Sequence, residues 1–352
     1  MSSFRPQRFC GVILKCSRIW RILFIAVPWI GLTYLMILPM LEKLLAYTDY
    51  TSTNRVSDDV GNKRFQTFHH NSTKQRLRYL IEEPSLCHDS PDLFMISYVH
   101  SAVHKKENRQ LIRDTWANLR YYPILRMKVF FVFGAAVSKE EQDVIEKESS
   151  QYHDIIQLDF VDSYKNLSLK GVGALQWISE HCMHAPWVLK SDDDMVINTF
   201  ALQEYLAYHT KGELKGGNSF PDKIICAVWW GMTVLRGTGC AKWCVSEEEW
   251  PENSFPTYCS GSAFVIPTHL VPRLYDAYFT APFLWVDDAY ISGVLPREAG
   301  IKHRPVHSLY EMNYHLIQRN MIHGNRLFCH HPGRAASRGQ WWSLILAKEL
   351  NA

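Results

Sequence analysis

Three features of this 352-residue sequence predict an α/β protein of three layers around a mostly parallel central sheet, preceded by an N-terminal transmembrane helix and a stem. From residue 92 onward, short apolar runs alternate with helix-like segments. An uncharged stretch from Ile22 to Leu41 separates a basic tail from a polar linker. Three carboxylates, Asp192, Asp193 and Asp194, stand directly after one of the apolar runs, where such folds bind ligands.

The tail, residues 1–21, holds Arg5, Arg8, Lys15, Arg18 and Arg21 and no acid. These five cations exceed the net charge of +3, so the rest of the chain is close to neutral and a nucleic-acid surface is not indicated. The run 22–41 would span about 30 Å as a helix, enough for a bilayer core. It is longer than the apolar part of a secretion signal, and no small-residue cleavage site follows. The basic flank predicts a cytoplasmic N-terminus, with residues 22–41 as a membrane signal anchor and the remainder luminal. Residues 42–91 are polar and without periodicity, as expected of a stem. Residues 92–352 form the expected luminal catalytic domain.

That topology decides how the cysteines are read. Cys10 and Cys16 fall on the cytoplasmic side, where lipidation or a reduced state fits. Seven others, Cys87, Cys182, Cys226, Cys240, Cys244, Cys259 and Cys329, fall on the oxidising side. Seven is odd, so at least one is unpaired or intermolecular. The spacing of Cys226, Cys240, Cys244 and Cys259 matches no common zinc pattern, and disulfides are expected instead. Asn71 and Asn166 open glycosylation sequons.

Within the domain, 93–99, 128–134, 154–160 and 187–191 have the length and apolar character of buried strands. Helical spacing covers 107–119, 138–150 and 166–182 between them. The segment 253–267 is rich in turn residues and leads into a further strand, its Ser260, Gly261 and Ser262 allowing close approach of a ligand. The segment 283–295 places Asp287 and Asp288 after an apolar run, at the start of a helix. No internal repeat is present.

Adjacent carboxylates at a strand end repel one another unless a cation lies between them. Mg²⁺ and Mn²⁺ take one or two protein oxygens and leave room for phosphate, which makes Asp192–Asp194 a candidate metal–diphosphate clamp. N-capping is the alternative role of this run, for a helix beginning near Asn198, and of Asp287–Asp288. The run also matches D-x-D-x-V, the pattern of an aspartyl nucleophile, but such a residue normally follows the first strand of its domain. Trp229, Trp230, Trp243 and Trp250 are candidates for core or for packing against sugar rings.

In its ordered blocks the chain resembles the β-1,3-glycosyltransferases that transfer galactose or N-acetylglucosamine. The blocks are "RQLIRDTW" (109–116), "DFVDSYKNLSLK" (159–170, with Ser168 where the family has Thr), Lys190–Asp194, "KWCVS" (242–246), "FPTYCSG" (255–261) and "DDA" (287–289). The resemblance implies a GT-A fold, a UDP-sugar donor, a glycan acceptor on glycoprotein or glycolipid, Mn²⁺, and the Golgi membrane. It implies Asp194 as metal ligand, with His323 as its late histidine partner. It implies Asp192, Asp193 and Lys190 on the donor, Arg109 and Arg113 supporting the nucleotide side or local packing, and Asp288 as general base. The family's Glu-Asp-Val is Asp287-Asp288-Ala289 here. Cys259–Gly261 is nearer the galactosyl-transferring members and Val286–Asp288 the N-acetylglucosaminyl branch, so donor identity stays open. A glycosidase using Asp193 and Asp288 would not need the metal clamp, and a lectin-like or chaperone-like membrane protein would keep the fold and lose turnover. Signatures for P-loop hydrolysis, zinc proteolysis and serine hydrolysis are missing.

Overall fold

The computed structural model describes residues 74–215, 222–237, 239–311, 313, 316–322, 326–330 and 335–350. All lie in the second of two units into which the chain divides, Gln66–Ala352. The tail, the run 22–41, Asn71 and His323 lie outside the described residues, within which no helix is long and apolar enough to cross a membrane.

Eight strands form the central sheet. In chain order they are β1 (Tyr79–Ile81), β2 (Met95–His100), β3 (Met127–Ala135), β4 (Ile155–Val161), β5 (Trp187–Asp192), then β7 (Lys223–Cys226), β10 (Ala263–Pro267) and β11 (Lys302–Pro305). The remaining short strands are β6 (Met195–Ile197), β8 (Val228–Trp229), β9 (Tyr258–Cys259), β12 (Tyr310–Glu311) and β13 (Phe328–His330). The sheet order is β1-β4-β3-β2-β5-β10-β7-β11. Pairs β4–β3, β3–β2, β2–β5 and β7–β11 are parallel, and β1 and β10 run against their neighbours. The sheet is therefore mostly parallel, as the alternating pattern predicts.

The central strands are apolar without alternation because both faces are covered. Phe130 and Val132 point to one face, Phe131 and Phe133 to the other, the two-residue period of a strand. On the first face lie α3 (Leu167–His181) and α5 (Val271–Thr280), with Trp177 of α3 4.7 Å from Phe130 between ring centroids. On the second lie α1 (Lys106–Asp114), α2 (Lys139–Tyr152), α4 (Thr199–Lys215) and α6 (Ala335–Leu350), contributing Ile112, Ile145, Leu202 and Trp342 to the core. Gly173 lets α3 sit directly on the sheet: a Cβ there would lie 2.3 Å from Leu158 Cδ1.

Two boundaries differ from the sequence expectation. The first helix stops at Asp114 rather than near 119, because Thr115 leaves helical geometry and its hydroxyl donates back to Leu111 O at 2.6 Å. Ser138 starts α2 by accepting from Glu141 N at 3.2 Å, a side-chain cap of ordinary kind. Finally, β1 and Cys87 fall inside the stretch 42–91 expected as stem, yet belong to the folded unit. β1 pairs with β4, and Cys87 is bonded to Cys182. That disulfide closes a 95-residue separation, a constraint on the unfolded chain of about 4–5 kcal/mol. Among the described residues Cys226–Cys259 and Cys240–Cys244 are the other pairs, leaving Cys329 single and buried. This agrees with the odd count.

Candidate functional site

The C-terminal ends of β2 and β5 lie side by side, His100 beside Asp192. Lys190 of β5 is 1% exposed and is the cation on which this end of the sheet is built. Its ammonium donates to Asp192 Oδ1 at 2.7 Å and to Gly261 O, and lies 3.7 Å from Asp287 Oδ2. Lys190 thus holds together carboxylates from two elements far apart in sequence. Burial and the nearby Asp287 and Asp194 raise Asp192 against the pull of Lys190, although water reaching 41% of its side chain tempers the shift.

Asp193 accepts from Ser101 Oγ at 2.8 Å and from Asn108 Nδ2 at 3.0 Å. Both partners are themselves held. Asn108 Oδ1 accepts from Arg338 Nη2 of α6 at 2.7 Å, and Arg109 donates to Ser101 Oγ at 3.3 Å and to Ala102 O at 2.6 Å. The Arg109 guanidinium is fully buried and bidentate to Glu148 at 2.8 and 2.7 Å. Arg113 pairs with Glu148 at 2.8 Å and with Asp154 at 2.8 and 2.9 Å, its guanidinium 3.9 Å from the Tyr152 ring centroid. Both arginines therefore pin α1 to α2 and the sheet, and Arg109 shapes the loop that holds Asp193. A cleft of about 630 Å³ lined by His104, Lys105, Lys106 and Asn108 opens on this side.

Asp194 starts the turn into β6, whose antiparallel register with β13 places His330 opposite Met195. His330 Nε2 lies 3.4 Å from Asp194 Oδ2, while Asp194 Oδ1 is shut off from solvent without a hydrogen-bond partner among the described residues. Burial alone would raise Asp194, but His330 and Arg338 hold it below the usual carboxylate range. An unpartnered buried carboxylate oxygen costs free energy unless a cation meets it. An O,N donor pair of this kind fits Mn²⁺ or a similar ion. His330 was missed in the sequence because only the β6–β13 register brings it to Asp194. Capping does not account for the three aspartates: the helix α4 is capped by Asn198, whose Oδ1 accepts from Ala201 N at 3.0 Å.

Asp287 and Asp288 open a composite helix, Asp287–Ala289 followed by π-helical Tyr290–Val294 and α-helical Leu295–Ala299. Its residue before the first turn, Val286, makes no side-chain cap. Burial would raise Asp287, but Lys190, and His100 with Nδ1 at 3.4 Å, hold it ionised and low. Burial, and then the charge of Asp287, push Asp288 up to about 7. Its Oδ1 accepts from Ala289 N at 2.8 Å, and Oδ2 faces Gly261, where a Cβ would lie 3.2 Å away. Gly261 therefore lets the backbone pack against the carboxylate, where any side chain would crowd it. The helix is fixed from below by Ser292, which donates to Asp288 O at 2.6 Å and accepts from Cys259 N at 2.8 Å.

Lys170 of α3, 1% exposed, donates to Ser101 O and Asp162 Oδ1, both at 2.8 Å, and so supports the floor. Asn166 lies just before α3, half-buried, with Nδ2 donating to Val161 O at 2.8 Å.

Carboxylates from the end of β5 and from the start of the composite helix thus meet on one buried lysine. The galactosyltransferase family matches residues 107–307, more than half of the chain, and the protein belongs to that family. It is 26% identical over 289 residues to mouse beta-1,3-galactosyltransferase 2, covering 81% of this chain and 66% of that one. It is 31% identical over 224 residues to human UDP-GalNAc:beta-1,3-N-acetylgalactosaminyltransferase 1, covering 62% and 64%. The chain thus spans just under two thirds of the length of these curated relatives. Among solved structures, galactosyltransferase LgtC with donor and acceptor sugar analogues aligns with 72% of this chain and 96% of its own. Its identity is 9% and its TM-score 0.35, too low to carry an argument.

Proposed function

We propose that the protein is an inverting, metal-dependent glycosyltransferase of the Golgi membrane that moves galactose from UDP-galactose to a glycan acceptor in β-1,3 linkage. The observation that carries this reading is Asp288, a buried carboxylate with raised proton affinity, packed against Gly261 and next to the Lys190-centred carboxylates. Membership of the galactosyltransferase family supports it. Residues 22–41 supply the membrane anchor in this reading, and the GT-A architecture is the corresponding fold.

Asp288 Oδ2 takes the proton of the acceptor hydroxyl as its oxygen bonds to the anomeric carbon and the bond from that carbon to the diphosphate breaks. Attack opposite the leaving group inverts the centre, so an α-linked donor gives a β-linked product. Lys190 and Asp192 orient the donor sugar, and Asp193 the ribose, locked in place by Ser101 and Asn108. Asp194 and His330 would hold Mn²⁺, which supplies charge neutralisation for the departing diphosphate. Lys105 and Lys106 line the cleft toward the nucleotide.

The test uses the full-length chain in detergent with a panel of UDP-sugars and glycan acceptors, with Mn²⁺ or with a chelator. One UDP-sugar is expected to be consumed, only with metal, and Asp194→Ala is expected to lose at least about 100-fold. Metal-independent turnover would refute this reading. UDP-N-acetylglucosamine as the consumed donor would assign the protein to the other branch that Val286–Asp288 suggests.

A further inference from the structure

Apolar side chains that a monomer leaves in water mark a surface that meets something. One loop concentrates them here: Trp229, Trp230, Met232, Leu235 and Trp243 are 41, 58, 40, 46 and 51% exposed. The loop is not slack. Phe255 N donates to Met232 O at 2.9 Å and Val234 N to Asn253 O at 3.0 Å, Arg236 donates to Val245 O, Trp250 O and Glu252 O, and Cys240–Cys244 closes its end. A chain segment held by this many bonds presents its tryptophans at fixed positions.

Two tethers lead from the loop to Asp288. On one side Trp229 pairs with Tyr258 across β8 and β9, and Tyr258 is three residues from Gly261, which touches Asp288. On the other side the Lys242 ammonium stands 5.0 Å from the Trp243 ring centroid and 4.8 Å from that of Tyr164. Tyr164 meets Trp285 edge-on at 6.2 Å, three residues before Asp288. The aromatic loop is thereby continuous with the rim of the carboxylate site.

We propose that Trp229, Trp243 and Tyr164 form a platform for the sugars of an extended, uncharged glycan acceptor beyond the unit that is modified, a reading that rests on the transferase assignment. Flat apolar rings with polar edges fit the apolar faces of pyranoses, with hydroxyls turned to water. The neighbouring charges are of both signs: Glu252 is paired with Arg297 at 2.9 Å, Lys242 stands over the Trp243 and Tyr164 rings, and Glu247 and Glu248 are exposed beside the loop, so the rim carries no excess of cations for an anionic membrane surface.

The test is binding rather than turnover, so that it survives failure of the transferase reading. Full-length protein in detergent is applied to an array of neutral glycans of one to six sugars. Trp229→Ala and Trp243→Ala are applied in parallel, and thermal unfolding of all three proteins is recorded. The expected result is retention of glycans of three or more sugars by the wild type and a loss of roughly tenfold in each variant at unchanged unfolding temperature. Wild type that retains no glycan, or variants that retain the same glycans equally, would overturn the platform. So would variants that lose binding to phosphatidylcholine vesicles and keep glycan binding, which would make the loop a membrane contact. Failure of every UDP-sugar to turn over, with glycan retention intact, would sink the transferase reading and leave the platform standing.

Discussion

At the residue scale the site turns on charges placed where a stable fold would not place them. Asp288 is the clearest case, because burial and the ionised Asp287 raise it to about 7. A carboxylate whose folded pKa lies above its unfolded value favours the fold when protonated, so its contribution to stability declines as pH rises from about 4 to about 7. Asp288→Asn is therefore expected to stabilise the protein above pH 7 and to lose that advantage below pH 4, as read by denaturant titration at the two pH values. The same carboxylate works as a base only when ionised, so kcat/KM should fall as pH drops through about 7; a rate flat from pH 5 to pH 8 would be inconsistent with that role. Lys170 is a different kind of buried charge. It is paired and structural, and Lys170→Met, which strands Asp162, is expected to cost about 3–5 kcal/mol in urea unfolding.

Elements explain why some of these residues were legible in the sequence and others were not. Asp194 and Asp288 stand after apolar runs, and an apolar run followed by carboxylates needs no knowledge of the fold to be noticed. His330 has no such mark, because a three-residue strand pairing across more than 130 positions brings it in, and sequence spacing carries no trace of that register. Asn108 and Arg338 escape for the same reason. Their link to Asp193 joins α1, α6 and the loop after β5. Arg109 and Arg113 show the converse. An amphipathic helix tells which way an arginine faces and not which acid it meets, and here Glu148 and Asp154 of and beside α2 take both guanidiniums. Helix α3 shows how close packing serves the site: Gly173→Ala would press a methyl on Leu158 and is expected to cost about 1–3 kcal/mol in thermal or urea unfolding. A fully tolerated Gly173→Ala would mean that α3 stands farther from β4 than described.

At the scale of the whole molecule, the mostly parallel sheet gathers the chemistry at one end of its central strands. Strand ends β2 and β5 bring His100 and Asp192 together, β10 brings Gly261 through the segment before it, and the composite helix brings Asp287 and Asp288. The alternation of apolar and helical segments made this sheet legible, since strands covered on both faces are apolar throughout. The antiparallel edge strand β1 was not, because three residues of mixed burial carry too little pattern. If Asp288 is the base of a sugar transfer beside a bound UDP-sugar, its loss spares donor binding and stops transfer. The most direct test compares wild type and Asp288→Asn for both donor binding and transfer, using the full-length chain with Mn²⁺ and the donor that the panel selects. The variant is expected to bind UDP within about twofold of wild type while kcat falls by about 10²–10⁴. Transfer by Asp288→Asn at the wild-type rate, or the absence of UDP binding in both proteins, would contradict the claim.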